Sequence, residues 1–396
     1  MRSMSRNLAL VVLVVVVVGL VGALAAGCGS TTTTTAAPGT TQAASTTTMA
    51  PASTTNGATT TTAAGATTTQ FTTTTVAGKV NLNGAGATFP QPVYLEWIGQ
   101  YTQTVVKDVS LNYQGIGSGG GIQQFTQGSV DFGASDAPMK DTEIATAEAA
   151  GGAKVLHIPT VFGSITLSYN LAGVSKLNLD PDTIAGIFLG TITKWNDPKL
   201  VAINTGITLP AQDIKAVYRS DSSGTTNAFT SYLAEVNADW KAKVGAGKTV
   251  KWPVGVGGQG NDGVAAVVKQ SAGAIGYVEL AYALNSSLPV AAVKNQSGKY
   301  ITPSLASTTA AATGAKFPAD LRFSVSNSAN PDAYPIVTAT WILAWDKMKD
   351  PAKASALKAW LTWALNDGKS IANDLGYATL PADLQAAALA KVNLIN

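Results

Sequence analysis

The chain has almost no cysteine or histidine and little charge. Of its 396 residues one is Cys and one is His, and 12% are charged. The lone cysteine, Cys28, makes no internal disulfide, and the lone imidazole, His157, supplies neither a His-rich zinc or iron site nor the H-E-x-x-H pair of a metalloprotease. With 26 Lys and Arg against 23 Asp and Glu, two of the arginines within the first seven residues, the remainder is nearly neutral, so bulk charge recruits no nucleic acid. No G-x-x-x-x-G-K-[ST] run occurs, which removes P-loop nucleotide hydrolysis. What the chain has instead is 39 glycines and 46% hydrophobic residues.

Arg2 and Arg6 precede an apolar run from Leu8 to Leu24, and Ala25-Ala26-Gly27 lead into Cys28. This is the pattern of an export signal, with an uncleaved anchor as the alternative reading of the run. Small residues before the one cysteine resemble the lipobox of bacterial lipoproteins, with Ala25 where such sites usually carry Leu or Val. That resemblance implies a signal peptide over 1–27 and lipid attachment at Cys28. From Gly29 to Gly78 there is no charged residue, and Thr, Ala, Ser and Gly fill nearly everything. Such a segment buries too little apolar surface to offset its ordering entropy, so 28–79 is expected to be a disordered linker. As a flexible coil of ~50 residues it would reach about 40 Å.

Beyond Lys79, β-rich runs alternate with helical patterns, which predicts an α/β architecture with two lobes in ~320 residues. Expected strands are Val109 to Tyr113, Val155 to Ile158, Ser164 to Asn170, Ile214 to Tyr218, Ile275 to Val278 and Ile336 to Thr340. Expected helices are Pro90 to Gln103, Gly121 to Gln127, Asp182 to Leu189, Thr225 to Val236, Gly263 to Gln270 and Pro351 to Leu365. The last has Asp350 as N-cap, Pro351 at its first position and Gly368 beyond its end.

Three segments share one design, a strand, a turn of small and hydroxylic residues, then a helix: Gly84 to Pro90, Gly115 to Gly121 and Arg219 to Thr226. A helix start offers unpaired N–H groups and the positive end of a dipole, small residues admit an anion to the backbone, and hydroxyls add neutral donors. Three such turns, one with an arginine, point to donors converging on an oxyanion. Competing motifs are weaker. Gly115, Gly117 and Gly120, and also Gly255, Gly257 and Gly260, spell G-x-G-x-x-G, but Asp131 and Asp136 follow the first too early for the ribose-binding acid of a dinucleotide site, and the second leads into Asn261-Asp262-Gly263, a turn and cap. Ser118 and Ser223 have Ile116 and Asp221 where a nucleophile elbow needs its first glycine. His157 lies in a strand pattern and is expected to be structural.

Together these residues carry a family resemblance. Gly84-Ala85-Gly86-Ala87-Thr88-Phe89-Pro90, Tyr113 to Gly120, Asp131 to Pro138, Lys194-Trp195-Asn196-Asp197, Arg219 to Thr225, Gly258 to Gly263 and Gly273 to Glu279 resemble, in order, the phosphate-binding protein of bacterial ABC-type phosphate transporters. The resemblance implies a periplasmic-binding-protein-like type II fold. Its two α/β lobes would be 80–168 with 335–396 and 169–334, joined near Ser168 to Asn170 and near Ala333 to Pro335, with a ligand cleft between them. It implies phosphate contacts from Thr88, Phe89, Ser118, Asp136, Arg219, Ser223, Gly224 and Thr225, with Asp221 restraining Arg219. Gly119 stands where many relatives have Ser or Thr, and Ser222 where some have Gly.

A carboxylate such as Asp136 suits this anion because phosphate near neutral pH still carries a proton to donate. Sulfate carries none and would meet a like charge. The expected activity is capture without chemistry, with no cofactor and no metal. The expected partners are inorganic phosphate, a membrane permease and the membrane itself through a lipid anchor, and the protein is expected to be a monomer. A phosphate-ester hydrolase or a phosphate-sensing surface protein on the same scaffold is the alternative.

Overall fold

The structure, a computed structural model, describes residues 79–396. The expected signal at 1–27, Cys28 and all but the last residue of the expected linker lie outside the described residues.

β1 (Val80–Gly86) leads into α1 (Gln91–Gln100), which runs on as one π turn, and β2 (Val109–Gly115) leads into α2 (Ser118–Thr126). β3 (Phe132–Ser135) and α3 (Asp141–Gly151) precede the long β4 (Val155–Tyr169). β5 (Asn178–Leu179), α4 (Pro181–Leu189) and α5 (Pro198–Ile203) follow, then β6 (Lys215–Arg219), α6 (Gly224–Val236) and α7 (Ala238–Lys243). β7 (Val256–Gly258), α8 (Gly260–Gln270), β8 (Ala274–Glu279) and α9 (Leu280–Asn285) come next. β9 (Ala292–Lys294), β10 (Tyr300–Ile301) and α10 (Leu305–Ala312) lead by a long connection to β11 (Val337–Trp345). α11 (Pro351–Asn366), α12 (Lys369–Asp374) and α13 (Ala382–Asn393) come last.

Eight strands form one sheet in the order β2-β1-β3-β11-β4-β8-β6-β7, and β10-β9-β5 form a small second sheet. Neighbours are parallel within β2-β1-β3 and within β8-β6-β7. β4 belongs to both halves of the large sheet: Val155–Ser164 pairs antiparallel with β11, and Ile165–Tyr169 pairs antiparallel with β8. The exchange of partners falls between Ser164 and Ile165. β4 and β11 are buried along nearly their whole length, as apolar strands at the centre of a covered sheet must be.

The runs expected as two strands, Val155 to Ile158 and Ser164 to Asn170, are thus one strand. Pro159, just past the end of the first run, pairs with Trp341 at a bulge where the β4–β11 register shifts between Thr340 and Trp341. A bulge is one of the few places inside a sheet that admits proline.

Each half has an aromatic core. Tyr94 packs on Trp97, Tyr113 and Trp360, and Phe132 on Tyr113 and Trp360. In the other half Phe188, Phe229, Trp240, Trp252 and Tyr277 pack together. Burying each phenylalanine contributes about 1.5–3 kcal/mol, and each cluster also sends a phenol to the turns described below.

α11 starts as its sequence predicts, with Asp350 accepting from the N–H of Ala352 and Lys353. Gly368 does not close it in the left-handed conformation. It keeps φ −73° and caps α12, and its carbonyl accepts the Trp97 indole N–H at 2.7 Å. A Cβ there would lie 2.6 Å from that nitrogen, so glycine is required by the tryptophan rather than by the backbone angle.

Candidate functional site

Four turns lie at the carboxyl ends of parallel strands, where an open α/β sheet presents its loops: β1 to α1, β2 to α2, β6 to α6 and β7 to α8. The first is held by three phenols. Tyr113 donates to the carbonyl of Ala87 at 2.6 Å, Tyr377 to that of Phe89 at 2.7 Å, and Tyr282 to that of Thr88. Thr88 and Phe89 are buried. No group among the described residues accepts from the Phe89 N–H, the kind of buried donor that native structures reserve for a ligand or water.

The second turn places Ser118 as the first residue of α2, three residues before the expected start at Gly121. Low helix propensity hid this: Gly119, Gly120 and Gly121 do not read as a helix, yet they form its first turn. Gly117 precedes it at φ +84°, and a Cβ there would lie 2.3 Å from Asp221 Oδ2. Ser118 Oγ accepts the N–H of Asp136 at 3.2 Å and that of Gly224 at 3.0 Å, and so joins the two halves.

Asp136, just after β3, is 2% exposed. Thr340 Oγ1 donates to its Oδ1 at 2.9 Å, while Ser118 Oγ and Thr225 Oγ1 approach Oδ2 at 3.5 Å. Burial pushes its carboxyl up to about 7 against the lowering effects of the Thr340 bond, the Arg219 charge and the two other hydroxyls. An acid with this affinity for a proton is poised to accept one at neutral pH.

In the other half, the Tyr277 hydroxyl accepts the N–H of Arg219 at 3.0 Å and bonds Thr226 at 2.6 Å, so the aromatic core fixes the strand end and the helix start together. Arg219 is buried and its guanidinium grips Asp221 with two bonds, Nε to Oδ1 at 2.7 Å and Nη2 to Oδ2 at 2.5 Å. Nη1 reaches Thr225 Oγ1 at 3.3 Å. Burial opposes the charge on Asp221, but Arg219 and the N–H of Gly260 outweigh it and hold the carboxyl below its usual range. Ser223 caps α6, its Oγ accepting from the Thr226 N–H at 3.0 Å. Gly224 lies where a Cβ would stand 2.5 Å from Ser118 Oγ and 2.7 Å from Asp136 Cβ.

Thr88, Ser118, Asp136, Arg219, Asp221, Gly224 and Thr225 therefore fall in one connected, buried network, with Phe89 beside Thr88. The Ser223 hydroxyl bonds to its own helix rather than to the other site residues. Cys28 lies outside the described residues.

Sequence reasoning assigned no role to Asn261. Its segment reads as a turn and cap, but α8 begins at Gly260, ahead of the expected Gly263, and so puts Asn261 in its first turn. Asn261 Nδ2 donates to Thr88 Oγ1 at 2.9 Å and to Thr225 Oγ1 at 3.3 Å, and its own N–H donates to Thr88 Oγ1 at 3.2 Å. The N–H of Glu279 fixes Asn261 Oδ1 at 3.0 Å. Thr340 was also unassigned, since it reaches Asp136 only through the antiparallel pairing of β11 with β3, in which Trp341 lies opposite Ser135. Burial raises the Glu279 carboxyl well above its usual range.

The site thus holds one guanidinium already matched by one carboxylate, together with backbone N–H groups, hydroxyls and an amide. Attraction for an anion comes from these oriented dipoles and helix starts more than from net charge. His157 lies elsewhere in β4, where Nε2 accepts the Met139 N–H at 3.1 Å. Burial and the nearby Arg322 charge lower its pKa to about 4, which keeps it neutral, as its structural reading requires. Among the described residues there is no cluster of His, Cys, Asp and Glu able to hold a metal ion.

The chain has relatives among known proteins. A sequence model of the PBP superfamily domain matches residues 30–367. The phosphate-binding protein PstS of Haemophilus influenzae is 42% identical over 308 residues, which cover 77% of this chain and 90% of that protein. PstS of Methanocaldococcus jannaschii is 38% identical over 333 residues, covering 78% of this chain and 85% of that protein. Among solved structures, a high-affinity periplasmic phosphate-binding protein bound with phosphate superposes with a TM-score of 0.65 at 24% identity, over 78% of this chain and 93% of its own. That likeness bears on the fold, which is of the periplasmic-binding-protein-like type II. The chain belongs to the PBP superfamily and, within it, to the family of the phosphate-binding proteins PstS.

Proposed function

We propose that the protein captures inorganic phosphate between two lobes, 80–168 with 335–396 and 169–334, and delivers it to an ABC permease for import. The partner exchange in β4 lies within a few residues of this division. The observation that carries the reading is Asp136: a buried carboxyl with one oxygen held by Thr340 and the other facing hydroxyl groups, poised near neutral pH to take the proton that phosphate still carries. The donors would be the N–H groups of Phe89, Ser118 and Thr225, the hydroxyls of Thr88, Ser118, Ser223 and Thr225, and Arg219 restrained by Asp221. Gly224 would let the anion approach the backbone.

This is binding without bond-breaking. The one imidazole is neutral and engaged by Met139, so the constellation offers no base beside Ser118 or Ser223 other than Asp136 itself. The protein acts outside the cytoplasm as a monomer, tethered through a lipid on Cys28 by the Thr-rich linker. A direct test is to denature the purified protein and assay what it releases. One phosphate per chain supports the reading, and a folded protein that neither releases phosphate nor takes it up on incubation contradicts it.

A further inference from the structure

Outside the network of site donors, the Glu143–Lys248 ion pair joins the two halves of the sheet at their rim; Arg322–Asp141 also spans the two sequence ranges, but its carboxylate is 87% exposed. Glu143 lies in the first turn of α3, and its Oε2 accepts the N–H of Lys140 at 2.8 Å, which fixes the carboxylate in place. Its Oε1 accepts from Lys248 Nζ at 2.6 Å. Lys248 comes from the connection between α7 and β7, in the other half of the molecule. The lysine side chain is 13% exposed and that of Glu143 28%, whereas the side chains of Lys154, Lys194, Lys243 and Lys299, each also paired, are more than half exposed and that of the paired Lys353 about a third.

Lys248 has a second attachment. Its carbonyl oxygen accepts the N–H of Ser223 at 2.9 Å, and Ser223 caps the helix whose first residues are Gly224 and Thr225. One residue therefore holds α3 of the first half by its ammonium and the α6 turn of the second half by its backbone. A surface ion pair is ordinarily worth little because two long side chains must be ordered to make it. Here the carboxylate is already ordered by its helix cap and the pair is largely shielded, so more of the attraction survives.

We propose that Glu143 and Lys248 form a closing latch: the pair is made when the lobes come together on phosphate, and it slows phosphate release without touching the anion. The inference rests on the phosphate-carrier reading. The two groups sit on opposite lobes, so opening must separate them and return both charges to water, and a ligand that favours closure is retained by whatever favours the closed state.

Two measurements on the whole protein test it. A zero-length carbodiimide should couple Glu143 to Lys248, read as a linked peptide by mass spectrometry, with a yield several-fold higher in saturating phosphate than after phosphate is stripped. Release of radiolabelled phosphate should be about 3–10-fold faster in Lys248→Met and in Glu143→Gln, which keeps an acceptor for the Lys140 N–H. The double variant should release no faster than the faster single variant. Equal crosslinking with and without phosphate, or unchanged release in both variants while the unaltered protein retains its label, overturns the latch alone. An unaltered protein that retains no phosphate overturns the carrier reading itself.

Discussion

The backbone N–H of Gly119 donates to the carbonyl of Ser222 at 2.9 Å across the two halves, and a Cβ on Gly119 would stand 2.1 Å from Ser222 Oγ. Gly119 and Ser222, where the resemblance noted from the sequence is imperfect, therefore face each other. Serine fits at 222 because residue 119 has no side chain. Gly119→Ser should weaken phosphate binding by tenfold or more, because the α2 and α6 turns are driven apart where they meet. Adding Ser222→Gly should restore most of the loss. Titration of the two single variants and the double variant checks this, and simply additive effects would contradict it.

Thr340 occupies one oxygen of Asp136, and in the proposed reading the other oxygen takes the proton of phosphate. Asp136→Asn keeps the bond from Thr340 but replaces a proton acceptor with an amide that can donate to any oxyanion. The ratio of phosphate to sulfate affinity should fall by about 10–100-fold, the worth of one charge-assisted hydrogen bond. Competition between the two anions in equilibrium dialysis measures the ratio directly.

The same carboxyl makes the phosphate-free protein sensitive to pH. Burial pushes it up to about 7 in the folded protein, above the ordinary aspartate value of 3.8, so folding favours the protonated form. Below pH 4 both states are protonated and nothing is lost. As pH rises through the window from about 4 to about 7 the unfolded state ionises first, and stability falls until both states are ionised. His157, with its pKa lowered to about 4, acts in the opposite sense over an overlapping range. The clean readout is therefore the difference in Tm between the protein and Asp136→Asn, which should move against the unaltered protein from pH 4 to pH 7 and level off above. A flat difference across that window would contradict a raised pKa at Asp136.

Asn261 ties Thr88 in one half to Thr225 in the other. Asn261→Ala should weaken phosphate binding by roughly 10–100-fold through the loss of these bonds. Asn261→Asp should be worse, because a carboxylate cannot donate to either threonine and adds a negative charge beside the anion. Equal affinity for the two variants would show that the amide acts only as a spacer.

How much of this was legible in the sequence depended on the range of the interaction concerned. Local signals were reliable: Asp350 and Pro351 start α11, and the hydroxyl-rich turns at Thr88, Ser118 and Thr225 do precede helices. Glycine blurred the helix starts, since α2 and α8 each begin three residues before propensity allows, and that shift is what brings Ser118 and Asn261 into first turns. Contacts between distant segments left no local trace. Thr340 is an unremarked strand residue until the antiparallel pairing of β11 with β3 sets it across from Asp136, and the Tyr113, Tyr282 and Tyr377 phenols that hold the first turn come from three separate segments. The family resemblance pointed to Thr88, Ser118, Asp136, Arg219 and Thr225 but not to Asn261 or Thr340, which bond to them.

The most direct test is calorimetric titration of the ligand-free protein with phosphate and then with sulfate. A buried site built from dipoles around one poised carboxyl predicts one phosphate bound per chain and little response to sulfate, with phosphate binding weakened strongly by Arg219→Ala. A folded, stripped protein that gives no heat with phosphate, or binds sulfate equally well, would contradict it.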